Sequence, residues 1–277
     1  MYPAPLPTHL AASASASVRD LVQGPSRPAA VLGRFATALY LRLEGGHVVA
    51  LLSSDAVRLP IGLVLPTSSR ELPLSQVSGP VGVGSGAVRV GGRSYWVSRL
   101  VSHQAPSALT PERRAAEHLR DRLAGREADD DLGLPAARWT EAHSRAGTAD
   151  LVSRLLGVGP GLTPAGDDVL AGLLVGLWAF GLAAEPLRSA VLAAAPVGTT
   201  DLSASLLRCA ARGESIPEVH ELLRATSTSA GRSRLDPALD DLLRIGHSSG
   251  AALATGVSVA ASLAIRARGR RSTSRCR

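Results

Sequence analysis

The chain has 277 residues, 45% of them hydrophobic and 3% aromatic, with a formal charge of +7. That length suffices for one large domain or for two lobes with a substantial core. Every basic side chain apart from histidine is arginine, which excludes a Walker-A lysine, a Schiff-base lysine for pyridoxal phosphate and a lysine general base.

Taken in chain order, residues 1–28 are rich in Pro, Ala and Ser and read as a disordered N-terminal segment. Ala38–Leu43 and His47–Leu52 flank Glu44-Gly45-Gly46, the pattern of a β-hairpin. Gly62–Leu65 reads as a further strand, and Gly86–Val90 with Ser94–Val101 flank Gly91-Gly92-Arg93 as a second hairpin. Short strands with glycine turns predict a β-rich barrel or sandwich over 29–108. From Thr110 onward, Thr-Pro-Glu-Arg opens a helix and the remainder reads helical. The expected fold class is therefore α+β, a small β domain followed by a larger helical domain over 109–267. Asp129-Asp130-Asp131 reads as a solvated loop between helices, and the arginines from Arg266 to Arg277 as a basic disordered tail over 268–277.

The most informative stretch lies at 157–172, Gly-Val-Gly-Pro-Gly-Leu-Thr-Pro-Ala-Gly-Asp-Asp-Val-Leu-Ala-Gly. Glycines at 157, 159 and 161 allow sharp turns and close approach to a ligand. Thr163 is a candidate N-cap and Pro164 suits a first helical position. The helix that follows is apolar from Val169 to Ala184, shorter than the ~20 residues of a membrane span. Its N-terminus is a seat for phosphate or carboxylate. Asp167 and Asp168 point about 100° apart, and either can hold a hard cation such as Mg²⁺ over that anion. The plainer reading is that first-turn aspartates stabilise the helix dipole by roughly 0.3–1 kcal/mol without any ligand. Gly166 and Gly172 inside the helix each cost about 1 kcal/mol relative to alanine, which predicts close approach by something at both.

Two further loops share this character. Gly198-Thr199-Thr200-Asp201-Leu202-Ser203 precedes the amphipathic run Ala204–Arg212, and Gly246-His247-Ser248-Ser249-Gly250 separates Leu235–Ile245 from Ala251–Ala267. Helix capping accounts for each alone. If all three converge at one end of a bundle, they form a polar pocket rimmed by helix ends. His247 is the candidate for proton transfer, since imidazole changes charge near neutral pH. The other histidines show no paired ligand spacing, and Arg154 and Arg208 are candidate anion partners.

The run 159–172, Thr199-Thr200-x-x-Ser203 and Gly246-His247-Ser248-Ser249-Gly250 together resemble the AllH-type family, which includes one subunit of bacterial oxamate carbamoyltransferase. This chain departs from the commoner pattern in carrying Ala165 before Gly-Asp-Asp, where a serine often stands. The resemblance implies carbamoyl transfer: oxalurate split by phosphate into oxamate and carbamoyl phosphate, in a complex with two other protein subunits. The implied site combines Asp167, Asp168 and His247 as catalytic groups. Gly159, Gly161, Thr163, Gly166, Thr199, Thr200, Ser203, Ser248 and Ser249 would contact phosphate or substrate. A Mg²⁺ ion on Asp167 and Asp168 is a candidate cofactor; no nucleotide, pyridoxal phosphate or NAD is expected. The alternatives are a non-catalytic assembly subunit and a Mg²⁺-dependent phosphoryl-transfer enzyme.

The expected partners are a small anionic substrate and fellow subunits. A nucleic acid is not among them, because few aromatic residues are available for base stacking. No membrane association is expected either. With Cys209 and Cys276 as the whole cysteine complement and no basic n-region leading into an apolar core, the composition fits a soluble cytoplasmic protein.

Overall fold

A computed structural model describes residues 9–124, 148–227 and 232–274, with side chains up to residue 270. The chain divides into two compact units, Met1–His103 and Gln104–Arg277. The expected boundary at 108/109 thus lies five residues earlier, and Asp129-Asp130-Asp131 falls outside the described residues.

The first unit is built on nine strands: β1 His9–Ser15, β2 Arg27–Pro28, β3 Ala30–Arg34, β4 Ala38–Arg42, β5 Val48–Leu52, β6 Gly62–Val64, β7 Val81–Gly84, β8 Ala87–Val90 and β9 Arg93–Val101. Their order in the sheet is β2-β7-β8-β9-β1-β6-β5-β4-β3. The two end strands, β2 and β3, are separated in the chain by Ala29 alone. A sheet whose edges are tethered that closely has to curl round on itself, and the result is a nearly closed barrel. Both anticipated hairpins form. Gly45 and Gly46 turn the first at φ +81° and +72°, and Gly91 turns the second at φ +58°, values for which glycine carries no steric cost. Leu39, Leu41, Val49, Leu51, Leu63, Val83, Val88 and Tyr95 fill the interior.

The expectation of disorder over 1–28 is corrected for the described residues 9–28. His9–Ser15 is a strand, Arg19–Gln23 is a short helix (α1), and Arg27–Pro28 pairs with β7. β1 sits between β9, to which it runs parallel, and β6, to which it runs antiparallel. Its Ala12 and Ala14 are buried at alternate positions, the period-2 pattern of a strand expressed in side chains too small to mark it in the sequence.

The second unit is helical: α2 Arg113–Leu123, α3 Thr148–Leu155, α4 Ala165–Ala179, α5 Glu185–Gly198, α6 Asp201–Ala210, α7 Pro217–Thr226, α8 Arg232–Leu243 and α9 Ser249–Ser274. The basic tail expected to be disordered is helical as far as Ser274. α9 is long and apolar enough to cross a membrane, yet Ala252, Ala254, Val257, Ala260, Ala261 and Ala264 are all buried in the protein. It is the partner of α4, buried from Ala165 to Leu177.

Glycines set that packing. A Cβ on Gly172 would lie 2.2 Å from the Leu253 carbonyl oxygen, and one on Gly256 would lie 2.2 Å from that of Val169. One on Gly176 would lie 2.5 Å from Cβ of Ala260. From Asp168 bonded to Ser249, through Gly172 against Leu253, to Gly176 against Ala260, the contacts advance in the same direction along both helices, so α4 and α9 run roughly parallel. Their N-termini therefore emerge at the same end of the unit.

Candidate functional site

α4 begins at Ala165 with Pro164 at the N-cap and no side-chain cap, so Thr163 is not the cap the sequence suggested. The loop before it folds back on the helix. The amide of Gly166 donates to the Val158 carbonyl at 2.9 Å, and those of Asp167 and Asp168 donate to Pro164 at 3.0 and 3.2 Å. Three of the amides expected to cradle an anion, those of Gly166, Asp167 and Asp168, are thus engaged within the chain. Gly166 serves packing as well, since a Cβ there would lie 2.0 Å from the Leu155 carbonyl oxygen at the end of α3. Gly157 (φ +74°) lies against the Gly198 carbonyl and Gly159 (φ +114°) against the Ala165 amide, whereas Gly161 (φ +88°) is exposed with open space where a Cβ would project.

Asp167 is 1% exposed and its carboxylate is surrounded by donors. Oδ1 accepts from the Gly157 amide at 2.8 Å; Oδ2 accepts from the Ser203 hydroxyl at 2.6 Å and from the Thr199 hydroxyl. A buried carboxylate with three donors is a satisfied charge, the condition under which burial is tolerated. It fastens the Gly-rich loop, the α5–α6 junction and α4 together. Thr200 adds to this by donating to the Leu162 carbonyl at 2.6 Å while accepting, as the N-cap of α6, from the Ser203 amide at 3.0 Å.

Asp168, the adjacent residue, has a different environment. It is 7% exposed, and its Oδ2 is buried without a hydrogen-bond partner among the described groups. Burial pushes its carboxyl up to about 8; a hydrogen bond from Ser249 opposes the shift, and the neighbouring Asp167 charge adds to it. The Ser249 hydroxyl is also 3.3 Å from that of Thr163, so a short chain of polar groups joins the Gly-rich loop to Asp168 across the start of α9. An orphaned oxygen in a buried carboxyl is costly unless something fills it.

The three loops picked out in the sequence therefore meet at the N-terminus of α4. Asp167, Thr199, Thr200 and Ser203 form one hydrogen-bonded group, and Thr163, Ser249 and Asp168 a second beside it, on adjoining residues of the loop and of α4. Ser248 contributes its carbonyl to the Ala252 amide at 3.0 Å. His247 lies in the turn after Gly246 (φ +62°) with its side chain exposed. Arg154 is paired with Asp150 at 2.9 Å, and Arg208 donates to Ser205 at 2.8 Å. Cys209 is buried in α6 with its thiol pushed up to about 12 by desolvation, which makes it inert. Among the described residues no three His, Cys, Asp or Glu side chains gather as metal ligands. A cation at this helix end would find Asp168 open and Asp167 already taken by protein donors.

Groups that the sequence reading did not anticipate include the Gly157 amide, the Leu162 carbonyl and the Leu155 carbonyl, all backbone. No residue identity could have marked them; the only trace was the demand for glycine at 157 and 166.

No solved structure matches this chain. A family model does. The segment 155–261, which contains all three loops and both helices of the α4–α9 pair through their contact, matches the family described as oxamate carbamoyltransferase subunit AllH.

Proposed function

We propose that this chain is a subunit of an oxamate carbamoyltransferase and that the loop cluster at the start of α4 is its share of the active site. The observation that carries the reading is the buried, unpartnered Oδ2 of Asp168 at the point where three loops of the family-matched segment converge.

The reaction is the phosphorolysis of oxalurate. A phosphate oxygen attacks the carbamoyl carbon, the bond from that carbon to the oxamate nitrogen breaks, and the departing nitrogen takes a proton. Asp168, with its carboxyl at about 8, holds a proton at neutral pH and is the group we assign to supply it. Proton transfer falls to Asp168 rather than His247 in this reading because His247 is exposed while Asp168 is buried. The exposed Pro160 and Gly161, with the half-buried Thr163 beside them, are the part of the loop suited to receive phosphate. The amides of Gly166, Asp167 and Asp168 are already engaged.

Asp167 is a positioning residue: it holds the loop and the α5–α6 junction in place for Asp168. The subunit works with partner chains in the cytoplasm, which supply the rest of the pocket. The test is reconstitution with the partner subunits, assaying carbamoyl phosphate from oxalurate and phosphate with and without this chain. Dependence on the chain is expected. Full activity without it would instead favour the assembly-subunit reading.

A further inference from the structure

We propose that the barrel unit carries a second anion site, a pocket between Arg58 and Arg99 that takes a compact oxyanion of the phosphate or small-dicarboxylate class. The pocket has a volume of about 470 Å³ and opens among Ser13, Ser54, Arg58, Ser98 and Arg99. It lies within the first unit and shares no residue with the cluster around Asp168.

Its construction starts from an irregularity in the sheet. β1 and β9 pair in parallel, with Ala12 opposite Val97 and Ser13 opposite Arg99, so that Ser98 is an extra residue. Bulges are rare in parallel pairs, and where they occur they re-aim side chains. Here strand alternation fails and the consecutive residues Ser98 and Arg99 are both exposed on the outside of the barrel. The Ser98 hydroxyl donates to the Ala12 carbonyl at 3.0 Å, closing the gap that the bulge leaves. The Nε of Arg99 donates to the Ser13 hydroxyl at 2.6 Å. That bond fixes the plane of the guanidinium while leaving its two terminal nitrogens to grip an anion in the bidentate manner.

Arg58 comes to the pocket from the segment between β5 and β6. Among the described residues no carboxylate pairs with Arg58 or Arg99. The one acid close by in sequence, Asp55, is committed elsewhere: it accepts from the Ser69 amide at 2.8 Å and from the Ser69 hydroxyl at 2.6 Å. Two guanidinium groups on one pocket, uncompensated and interleaved with serine hydroxyls, match an oxyanion in both charge and donors. They offer nothing to a cation.

The test is isothermal titration of the full chain at low ionic strength with inorganic phosphate and, separately, with oxalate, to distinguish the two ligand classes. Saturable binding of one of them at a site that is lost with the two arginines is expected, separate from any uptake of phosphate at the Gly161 loop. Arg58→Gln and Arg99→Gln should each weaken it at least fivefold, and the pair together at least twentyfold. Arg114→Gln, which removes the same charge from the exposed face of α2, and Asp168→Asn should leave it within twofold. Circular dichroism confirms that every variant is folded. Absence of saturable binding of both anions, equal weakening by Arg114→Gln, or loss in Asp168→Asn with retention in the arginine variants would each overturn the proposal.

Discussion

The hydroxyl of Ser203 donates to Oδ2 of Asp167 at 2.6 Å, joining two buried side chains 36 positions apart in the chain. With the Gly157 amide and the Thr199 hydroxyl on the same carboxylate, this bond holds the helix end that carries Asp168. Replacing Asp167 by alanine strands three donors in the interior. The expected loss is about 2–4 kcal/mol, read from urea denaturation followed at 222 nm. Ser203→Ala removes one donor and costs about 1 kcal/mol. An Asp167→Ala variant as stable as the wild type would mean the carboxylate is not the tie between these loops.

Asp168 predicts the opposite sign. Its folded value of about 8 lies above the ordinary 3.8, so between roughly pH 4 and 8 the native state keeps a proton that the unfolded chain has released. Stability contributed by this group is complete below the lower value and is lost as pH rises through the upper one. Asp168→Asn removes the titration. It should flatten the decline of stability over this window and raise stability near pH 7.5, by on the order of 2 kcal/mol, while impairing activity. Such a trade is expected of an active-site residue. Denaturation curves of both proteins at pH 5 and pH 7.5 check it.

Two glycines of the same motif separate packing from ligand contact. Gly166→Ala forces a Cβ to 2.0 Å from the Leu155 carbonyl and should destabilise the protein by about 1–3 kcal/mol. Gly161→Ala meets no neighbouring atom but keeps φ +88°, for a cost of about 1 kcal/mol. Its larger effect is expected on the KM for phosphate. Thermal melts together with steady-state kinetics distinguish the two outcomes.

At a distance from the site, Asp236 on α8 receives His118 at 2.9 Å and Arg122 from α2, and Arg122 also reaches Asp240 at 2.7 Å. Hydrogen bonding to His118, more than the Arg122 charge, holds the Asp236 carboxyl below its usual range. The contribution exists above the ordinary carboxylate value and is lost as pH falls through the lower folded one. Because the pair is partly solvated, Asp236→Asn should cost no more than about 1 kcal/mol at pH 7, with the difference from wild type shrinking in acid. Denaturation midpoints at pH 7 and pH 3 measure it.

The sequence made the three loops legible because each contains helix-start chemistry that acts locally: a glycine to leave one helix and hydroxyls or carboxylates to begin another. The hairpins were legible for the same reason, through Gly45-Gly46 and Gly91. What was not legible depends on distant neighbours. Asp167 and Asp168 are identical in type and adjacent, yet one is saturated by donors from 157, 199 and 203 while the other has an orphaned oxygen. Gly166 and Gly172 did signal close approach, but the approaching groups are the Leu155 and Leu253 carbonyls and not a ligand. Strand β1, written in Ala and Ser, offers too little contrast between its faces to be recognised without its partners.

The most direct test of the account is the rate of carbamoyl phosphate formation from oxalurate and phosphate by the assembled complex, with wild-type chain and with Asp168→Asn, assembly being verified by gel filtration. A fall in kcat of at least a hundredfold in a variant that is folded, assembled and more stable at neutral pH is the predicted result. Unchanged kcat in that variant would contradict the assignment of proton transfer to Asp168 and leave the buried carboxyl without a part in the chemistry.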